Sequence, residues 1–209
     1  MTIKESYNSW ADSYDKMKNK TRDLEKTAAK TTLTNYKFNN AIELGCGTGK
    51  NTQWLVGRTK QLIAVDFSEE MISKAKKKIK SDKVNFLELD ITKPWKIKSN
   101  SADLISCSLV LEHISNLNFI FKEAQKKLKA KGIFYICELH PFKQYLGSKA
   151  KYRTESGTIE LEVYFHNVSE YINSALKNSF KLLELKEWFD AGDKTAPPRL
   201  ISFVFEKIK

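Results

Sequence analysis

Short apolar runs alternate with longer amphipathic segments along most of the chain. The apolar runs predict seven strands, at residues 41–45, 62–66, 84–88, 103–108, 133–138, 181–187 and 200–206. Four of these runs are almost continuously apolar, as expected for strands that are buried on both faces of a parallel sheet. Apolar residues at helical spacing predict helices at 51–57, 69–80, 116–129 and 168–178. This alternation is typical of a Rossmann-like, doubly wound α/β sheet.

Three segments complete the predicted architecture. The loop at residues 191–198 contains no helix, so the last strand is expected to enter the sheet antiparallel to its neighbours. Residues 1–37 precede the first strand and predict a cover of two helices. Residues 140–167 contain Ser-Gly between alternating runs, which predicts a small hairpin insertion. We find no linker or repeat, and therefore expect one domain over residues 1–209.

A glycine-rich loop follows the first strand. Residues 42–49 read Ile-Glu-Leu-Gly-Cys-Gly-Thr-Gly, and a predicted helix comes next. Glycine permits a sharp turn and a close approach of the backbone to a ligand, although structural turns also use it. Asp66 ends the second strand about 20 residues after Gly45, the spacing of an acid that binds ribose hydroxyls. The combination indicates a nucleotide-type cofactor.

The spacing of the glycines separates the possible cofactors. A dinucleotide fingerprint reads G-x-G-x-x-G, whereas this loop reads G-x-G-x-G and is preceded by Glu43. A carboxylate there would repel a pyrophosphate but favour an ammonium or sulfonium. Lys50 and Asn51 replace the Lys-Ser/Thr pair of a P-loop, which excludes that motif.

These motifs resemble those of class I S-adenosylmethionine-dependent methyltransferases. The resemblance is carried by the segments ELGCGTG, VDFSEEMI, FLELDIT, ADLISCSLVLEHI and LKAKGIFYICELH, in the order of that family, and by YNSWADSYD near the N-terminus. Within the superfamily, the chain is most similar to the methyltransferase type 11 group of small-molecule enzymes. The resemblance covers nearly the whole chain and is specific for the cofactor, but it says little about the methyl acceptor.

The resemblance implies a set of cofactor-binding residues. It assigns the glycines to the methionine side, Glu43 to the ammonium, Asp66 to the ribose and Asp90 to the adenine amino group. The full implied set is Tyr14, Glu43, Gly45, Cys46, Gly47, Gly49, Asp66, Phe67, Met71, Asp90, Ile91 and Ser108. For Phe67 and Met71, ordinary core packing is an equal interpretation. The implied cofactor is S-adenosyl-L-methionine, with S-adenosyl-L-homocysteine as the product.

Two histidines are candidate catalytic bases. His113 and His140 follow the fourth and fifth strands, and ligands of open α/β sheets gather at the carboxyl ends of strands. Histidine titrates near neutrality and can remove a proton from an oxygen or nitrogen acceptor. Each histidine can equally be a structural hydrogen-bonding residue.

The insertion is the predicted lid over the acceptor. We expect Tyr7, Glu138, Tyr152, Tyr164 and His166 to bind the substrate, while surface positions or hairpin packing are the alternatives for the insertion residues. Basic residues between 143 and 153 make an anionic acceptor one expectation.

The composition restricts the possible binding partners and the cellular compartment. The formal net charge is +11, but only four of the 36 basic residues are arginine, so surface composition is favoured over nucleic-acid binding. Three cysteines in apolar or glycine-rich runs predict neither disulfides nor a metal site. No signal peptide or membrane span is recognisable, which predicts a cytoplasmic protein. The oligomeric state stays open.

Three functions remain in competition. The first is methylation of oxygen or nitrogen in a small-molecule metabolite. The second is RNA methylation, although residues 106–113 (SCSLVLEH) replace the N-P-P-Y signature after the fourth strand. The third is a non-catalytic partner protein that binds S-adenosylmethionine, which the intact loop, Asp66 and Asp90 make less favourable.

Overall fold

The computed structural model describes residues 2–16, 18–149, 151–154 and 157–209. Within these ranges, the side chains of residues 151–154, 158 and 159 lie outside the description.

Seven of the described strands form one mixed sheet. The nine described strands are β1 (Asn40–Leu44), β2 (Gln61–Asp66), β3 (Val84–Glu88), β4 (Ala102–Ser108), β5 (Leu128–Leu139), β6 (Lys151–Thr154), β7 (Gly157–Glu160), β8 (Phe180–Trp188) and β9 (Leu200–Lys207), of which β6 and β7 form a separate hairpin. The sheet order is β3-β2-β1-β4-β5-β9-β8. Strands β1 to β5 are mutually parallel, whereas β9 is antiparallel to both β5 and β8. The predicted seven-stranded sheet with an antiparallel last strand is confirmed.

Helices cover the two faces of the sheet and its carboxyl edge. The described α-helices are α1 (Ile3–Tyr14), α2 (Lys20–Leu33), α3 (Thr52–Leu55), α4 (Glu69–Lys78), α5 (Leu117–Lys127), α6 (Pro141–Tyr145) and α7 (Val168–Lys177). Helix α4 shows why these segments fold locally. The Ser68 side chain accepts from the Met71 backbone N–H, and acids and lysines occupy the first and last turns. Its apolar face, which includes Met71 and Ala75, is fully buried.

The core lies on both faces of the sheet. One face is built around Phe121 of α5, whose ring contacts Phe134, Phe180 and Phe205 at centroid distances of 5.2 to 5.8 Å. The opposite face packs against α2 through small and apolar side chains that include Ala28, Ala29 and Leu33. This two-sided burial explains the continuously apolar central strands and leaves their carboxyl ends free to form a site.

Helix α1 is fastened over the carboxyl edge by polar contacts. Asp12 and Asp15 form ion pairs with Lys74 and Lys78 of α4, and Asp15 also accepts from the Thr48 hydroxyl at 2.7 Å. The Ser68 hydroxyl donates to Asn8 at 2.6 Å. The first helix therefore lies against the glycine loop and the start of α4. No helix of the described residues is both long and apolar enough to cross a bilayer.

The predicted insertion contains a short helix and a hairpin. Helix α6 follows β5 directly, and β6 pairs with β7 in antiparallel register. After the hairpin, the Tyr164 backbone N–H donates to the carbonyl oxygen of Glu112 at 2.7 Å. The returning chain therefore lies beside the turn that follows β4.

Candidate active site

A cavity of about 510 Å³ opens at the carboxyl edge of the sheet. The ends of β1, β2 and β4 form its floor, while α1, α2 and the segment after the hairpin form its walls. Every residue predicted for the cofactor lines it except Gly49: Tyr14, Glu43, Gly45, Cys46, Gly47, Asp66, Phe67, Met71, Asp90, Ile91 and Ser108. Tyr7 and His113 line the same cavity.

The three glycines of the loop have different surroundings. All have positive φ, which disfavours other residues. A Cβ on Gly45 would lie 2.2 Å from Val110, and one on Gly49 would lie 2.7 Å from Ile79. A Cβ on Gly47 would meet nothing within 4 Å. Gly45 and Gly49 thus allow close packing of the protein, whereas Gly47 leaves open space inside the cavity.

Asp66 connects the glycine loop to the end of β2. Its carboxylate accepts from the Gly47 N–H at 2.8 Å and from the Ser68 N–H at 2.9 Å. Burial raises the pKa of Asp66, against these backbone donors. The carboxylate is held in place at the cavity wall, where it can accept from ribose hydroxyls.

Two further carboxyl groups lie deep in the cavity. Glu43 of β1 accepts from the Thr52 hydroxyl at 2.6 Å, and burial raises its pKa to about 8. Glu25 of α2 accepts from the Asn51 amide at 3.0 Å, and burial also raises its pKa. The charge of Glu25 opposes ionisation of Glu43 and contributes to its raised pKa. This end of the cavity is suited to a cationic group.

Asp90 lies at another part of the wall and stays ionised. Burial alone would raise its pKa, but the donors of Thr92 and Lys93 outweigh burial and lower it. Nearby, Met71 is fully buried and the Phe67 ring packs edge-on against Tyr7, at a centroid distance of 5.8 Å. An apolar wall beside a carboxylate is a suitable surface for an adenine ring and its amino group.

His113 and Tyr7 form a hydrogen-bonded pair inside the cavity. The Tyr7 hydroxyl lies 3.0 Å from Nε2 of His113, and Nδ1 lies 3.0 Å from the carbonyl oxygen of Glu162. A carbonyl oxygen only accepts, so the proton of the neutral ring belongs on Nδ1 and Nε2 accepts from Tyr7. Burial lowers the pKa of His113 and raises that of Tyr7 well above 10.

Two residues predicted for the acceptor side lie outside the cavity lining. Oε1 of Glu138 accepts from the N–H groups of Val110 and Leu111 at 3.1 and 3.0 Å, so Glu138 holds the turn that leads to His113. His140 caps α6, where Nδ1 accepts from the Phe142 N–H at 3.1 Å. Its Nε2 lies 3.2 Å from the Glu187 carboxylate. Both ring nitrogens of His140 are therefore engaged away from the site.

The remaining insertion residues are also placed elsewhere. His166 is buried, with Nε2 2.7 Å from the Ile114 carbonyl oxygen and Nδ1 3.2 Å from Glu170. Tyr164 is partly exposed and does not line the cavity. Tyr152 belongs to β6, and its side chain lies outside the described residues. The insertion reaches the cavity through Glu162 instead.

Several residues of the cavity lining were not predicted from the sequence. Arg22 and Glu25 come from α2, where the Arg22 guanidinium lies 4.0 Å from the Tyr14 ring centroid and donates to the Tyr14 carbonyl oxygen at 2.8 Å. A helical wheel carries the missed signal: Arg22 and Glu25 share a face with Ala29 and Leu33, so charged residues interrupt an apolar stripe. Ser106 was also missed, because its neighbours in β4 are apolar.

The cavity fits S-adenosylmethionine by three independent features. Gly47 leaves room for a ligand at the loop, and Glu25 and Glu43 suit a cationic end. The Ser106 hydroxyl is buried in the lining without a hydrogen-bond partner among the described residues. Together, the sheet order and this site define a class I methyltransferase domain with S-adenosylmethionine as its cofactor and S-adenosylhomocysteine as its product.

Comparison with known proteins agrees with that class. Residues 42–136 match the methyltransferase domain family. A ubiquinone biosynthesis O-methyltransferase from Pelagibacter ubique is 27% identical over 171 residues, covering 78% of this chain and 69% of the relative. A malonyl-[acyl-carrier protein] O-methyltransferase from Priestia megaterium is 31% identical over 140 residues, covering 62% and 48%. The chain spans about half the length of several curated relatives that it matches.

Solved structures share the fold. An S-adenosylmethionine-dependent methyltransferase from Clostridium acetobutylicum superposes with a TM-score of 0.73 at 20% identity, covering 96% of this chain and 98% of that one. The N-methyltransferase NodS from Bradyrhizobium japonicum, solved with S-adenosyl-L-homocysteine, gives 0.67 at 16% identity, covering 90% and 87%.

Proposed function

We propose that the protein is an active methyltransferase that transfers a methyl group from S-adenosylmethionine to an oxygen or nitrogen of a small-molecule metabolite. The hydrogen bond of 3.0 Å between the Tyr7 hydroxyl and Nε2 of His113 carries the proposal. It supplies a proton acceptor inside the cofactor cavity.

The proposed chemistry divides between the cofactor and the chain. When bound, S-adenosylmethionine supplies a methyl group on a sulfonium; the carbon–sulfur bond breaks as the acceptor forms a bond to the methyl carbon. An O–H or N–H acceptor also loses a proton, and we assign Nε2 of His113 to receive it. An acceptor that donates to the Tyr7 oxygen can pass its proton through Tyr7, since Tyr7 donates to Nε2.

The surroundings of His113 suit a base. Because burial lowers its pKa, the ring is neutral at pH 7, and the Nε2 lone pair that accepts from Tyr7 can take up the proton. Once protonated, the ring keeps its Nδ1–H bond to the Glu162 carbonyl oxygen. Its orientation therefore does not change during the transfer.

The cavity and the relatives support a small acceptor. A volume of about 510 Å³ is in the range of small-molecule sites, roughly 300–1,000 Å³. Two relatives are named as O-methyltransferases, which supports oxygen as the acceptor atom. RNA is not favoured, because Lys4 and Lys50 of the lining are already paired with Glu88 and Asp23.

An anionic acceptor receives no support from the described side chains. Lys149 of the basic cluster is paired with Glu160 at 3.6 Å, and Lys143 is half-buried and lies outside the cavity lining. At the His113 end, Lys4 and Glu162 contribute opposite charges to the lining. We therefore propose an uncharged acceptor with an O–H or N–H group.

The test is a methyl-transfer screen. The protein is incubated with S-adenosylmethionine carrying a radiolabelled methyl group and with fractionated metabolite extract, in parallel with total RNA. We expect label in a small-molecule fraction, and none when His113→Gln replaces the wild type. Label in RNA, or in neither pool, contradicts the proposal.

A further inference from the structure

Two carboxyl groups at one end of the cavity are buried and, within the described residues, form no ion pair. Glu25 is 3% exposed and Glu43 is 5% exposed. Their donors are neutral groups, the Asn51 amide and the Ser108 side chain for Glu25 and the Thr52 hydroxyl for Glu43. Among residues 2–16, 18–149, 151–154 and 157–209, no ion pair joins either group to a lysine or arginine.

Such an arrangement indicates a ligand that brings positive charge. A buried carboxylate is costly unless a cation or several donors compensate it. Glu25 comes from α2 and Glu43 from β1, yet both line the same cavity and their charges interact. A cation between them would compensate both, and the ammonium and sulfonium of S-adenosylmethionine are the available cations.

The position of Glu25 selects between those two cations. The methyl group must be presented toward Tyr7 and His113, which α1 and Glu162 hold. Glu25 instead contacts Asn51, beside the glycine loop at the start of α3. The part of the ligand that reaches Glu25 is therefore the amino-acid end.

We propose that Glu25 is a cofactor-binding residue that receives the α-ammonium group of S-adenosylmethionine opposite Glu43. The second helix of the N-terminal cover then forms part of the cofactor site. The assignment rests on the proposed function for the direction of the methyl group, toward Tyr7 and His113, but it does not depend on which acceptor is methylated.

Binding calorimetry on the full chain tests the inference with three ligands. S-Adenosylmethionine has both cations, S-adenosylhomocysteine has only the ammonium, and 5′-methylthioadenosine has neither. We expect Glu25→Gln to weaken binding of the first two at least tenfold, and to leave the affinity for 5′-methylthioadenosine within twofold. Glu123→Gln is the matched control, since Glu123 is 2% exposed but accepts from Trp95 outside the cavity lining. This control should bind all three ligands like the wild type.

The other outcomes overturn the inference in distinguishable ways. Unchanged affinities, or an equal loss for all three ligands, remove Glu25 from ammonium recognition. A loss confined to S-adenosylmethionine assigns Glu25 to the sulfonium instead. If the wild type binds neither cofactor form, the cofactor assignment itself fails. Thermal unfolding verifies that Glu25→Gln is folded. If it is not, Glu25→Asp replaces it, because aspartate keeps the charge on a shorter side chain. We then expect Glu25→Asp to bind 5′-methylthioadenosine like the wild type and the other two ligands more weakly.

Discussion

The Tyr7 hydroxyl lies 3.0 Å from Nε2 of His113, although 105 residues separate them in the chain. The bond joins α1 to the turn after β4, and the Glu162 carbonyl oxygen fixes the other ring nitrogen at 3.0 Å. Three separate segments thus determine where the proton acceptor lies and which nitrogen is available.

Replacing His113 should separate catalysis from cofactor binding. We expect His113→Ala to lower kcat by about 100-fold or more, the usual contribution of a general base, while the Kd for S-adenosylmethionine changes little. Tyr7→Phe, which keeps the ring packing, should have a smaller effect of about tenfold. Methyl-transfer kinetics measure kcat, and calorimetry measures the Kd.

The pH profile gives a second test of His113. Because burial lowers the pKa of His113, the acid limb of the wild-type pH profile should lie below pH 6.5. Equal turnover in His113→Ala would remove the base assignment.

Asp66 should be essential for cofactor affinity. We expect Asp66→Ala to weaken binding of S-adenosylmethionine at least tenfold, about 1.4 kcal/mol, because the ribose partner and the anchor of Gly47 are both lost. Asp66→Asn keeps one acceptor oxygen and should lose less. Calorimetry gives the affinities, and an Asp66→Ala protein that binds like the wild type would exclude Asp66 from the site.

The glycine loop should respond differently at two positions. In Gly45→Ala the new methyl group would lie 2.2 Å from Val110, so the main effect should be a lower unfolding temperature. In Gly47→Ala the methyl group has room, and only the positive φ costs about 1–2 kcal/mol. The larger effect of Gly47→Ala should be on cofactor affinity. Thermal unfolding with and without S-adenosylmethionine distinguishes the two, and identical profiles would contradict their separate roles.

The stability of the cofactor-free protein should fall as the pH rises from 6 to 9. Burial raises the pKa of Glu43 and Glu138 to about 8 and that of Glu112 to about 7, above the ordinary 4.5. The folded state therefore binds these protons more tightly than the unfolded chain, and this stabilisation is lost as the pH rises through the folded pKa.

Glu138→Gln should flatten that pH dependence. Glutamine stays uncharged and can still accept from the Val110 and Leu111 N–H groups, so the turn before His113 is retained. Glu70→Gln, at an exposed position of α4, is the control and should leave the slope unchanged. Unfolding temperatures across the pH range give the result, and the same slope in wild type and Glu138→Gln would refute the role of Glu138.

The sequence predicted the sheet well because two-sided burial leaves a strong apolar pattern. It also predicted residues that line one cavity, since the loop and Asp66 lie at strand ends where topology brings them together. It could not place His140, because β5 runs on to Leu139 and the next residue caps a helix. Nor could it show that Gly49 lies against α4 and not in the cavity lining, where a Cβ would meet Ile79 and Ala75. Periodicity alone does not show whether His113 or His140 hydrogen-bonds Tyr7, or which nitrogen of its ring makes that bond.

The insertion holds the proposed base through a main-chain atom. The Glu162 carbonyl oxygen orients His113, and a carbonyl oxygen is available whatever side chain stands at that position. The Glu162 side chain, which the insertion contributes to the cavity lining, can therefore be exchanged to suit another acceptor without removing this hydrogen bond, provided the path of the backbone is kept. The region offers a route for changing substrate preference separately from the chemistry of methyl transfer.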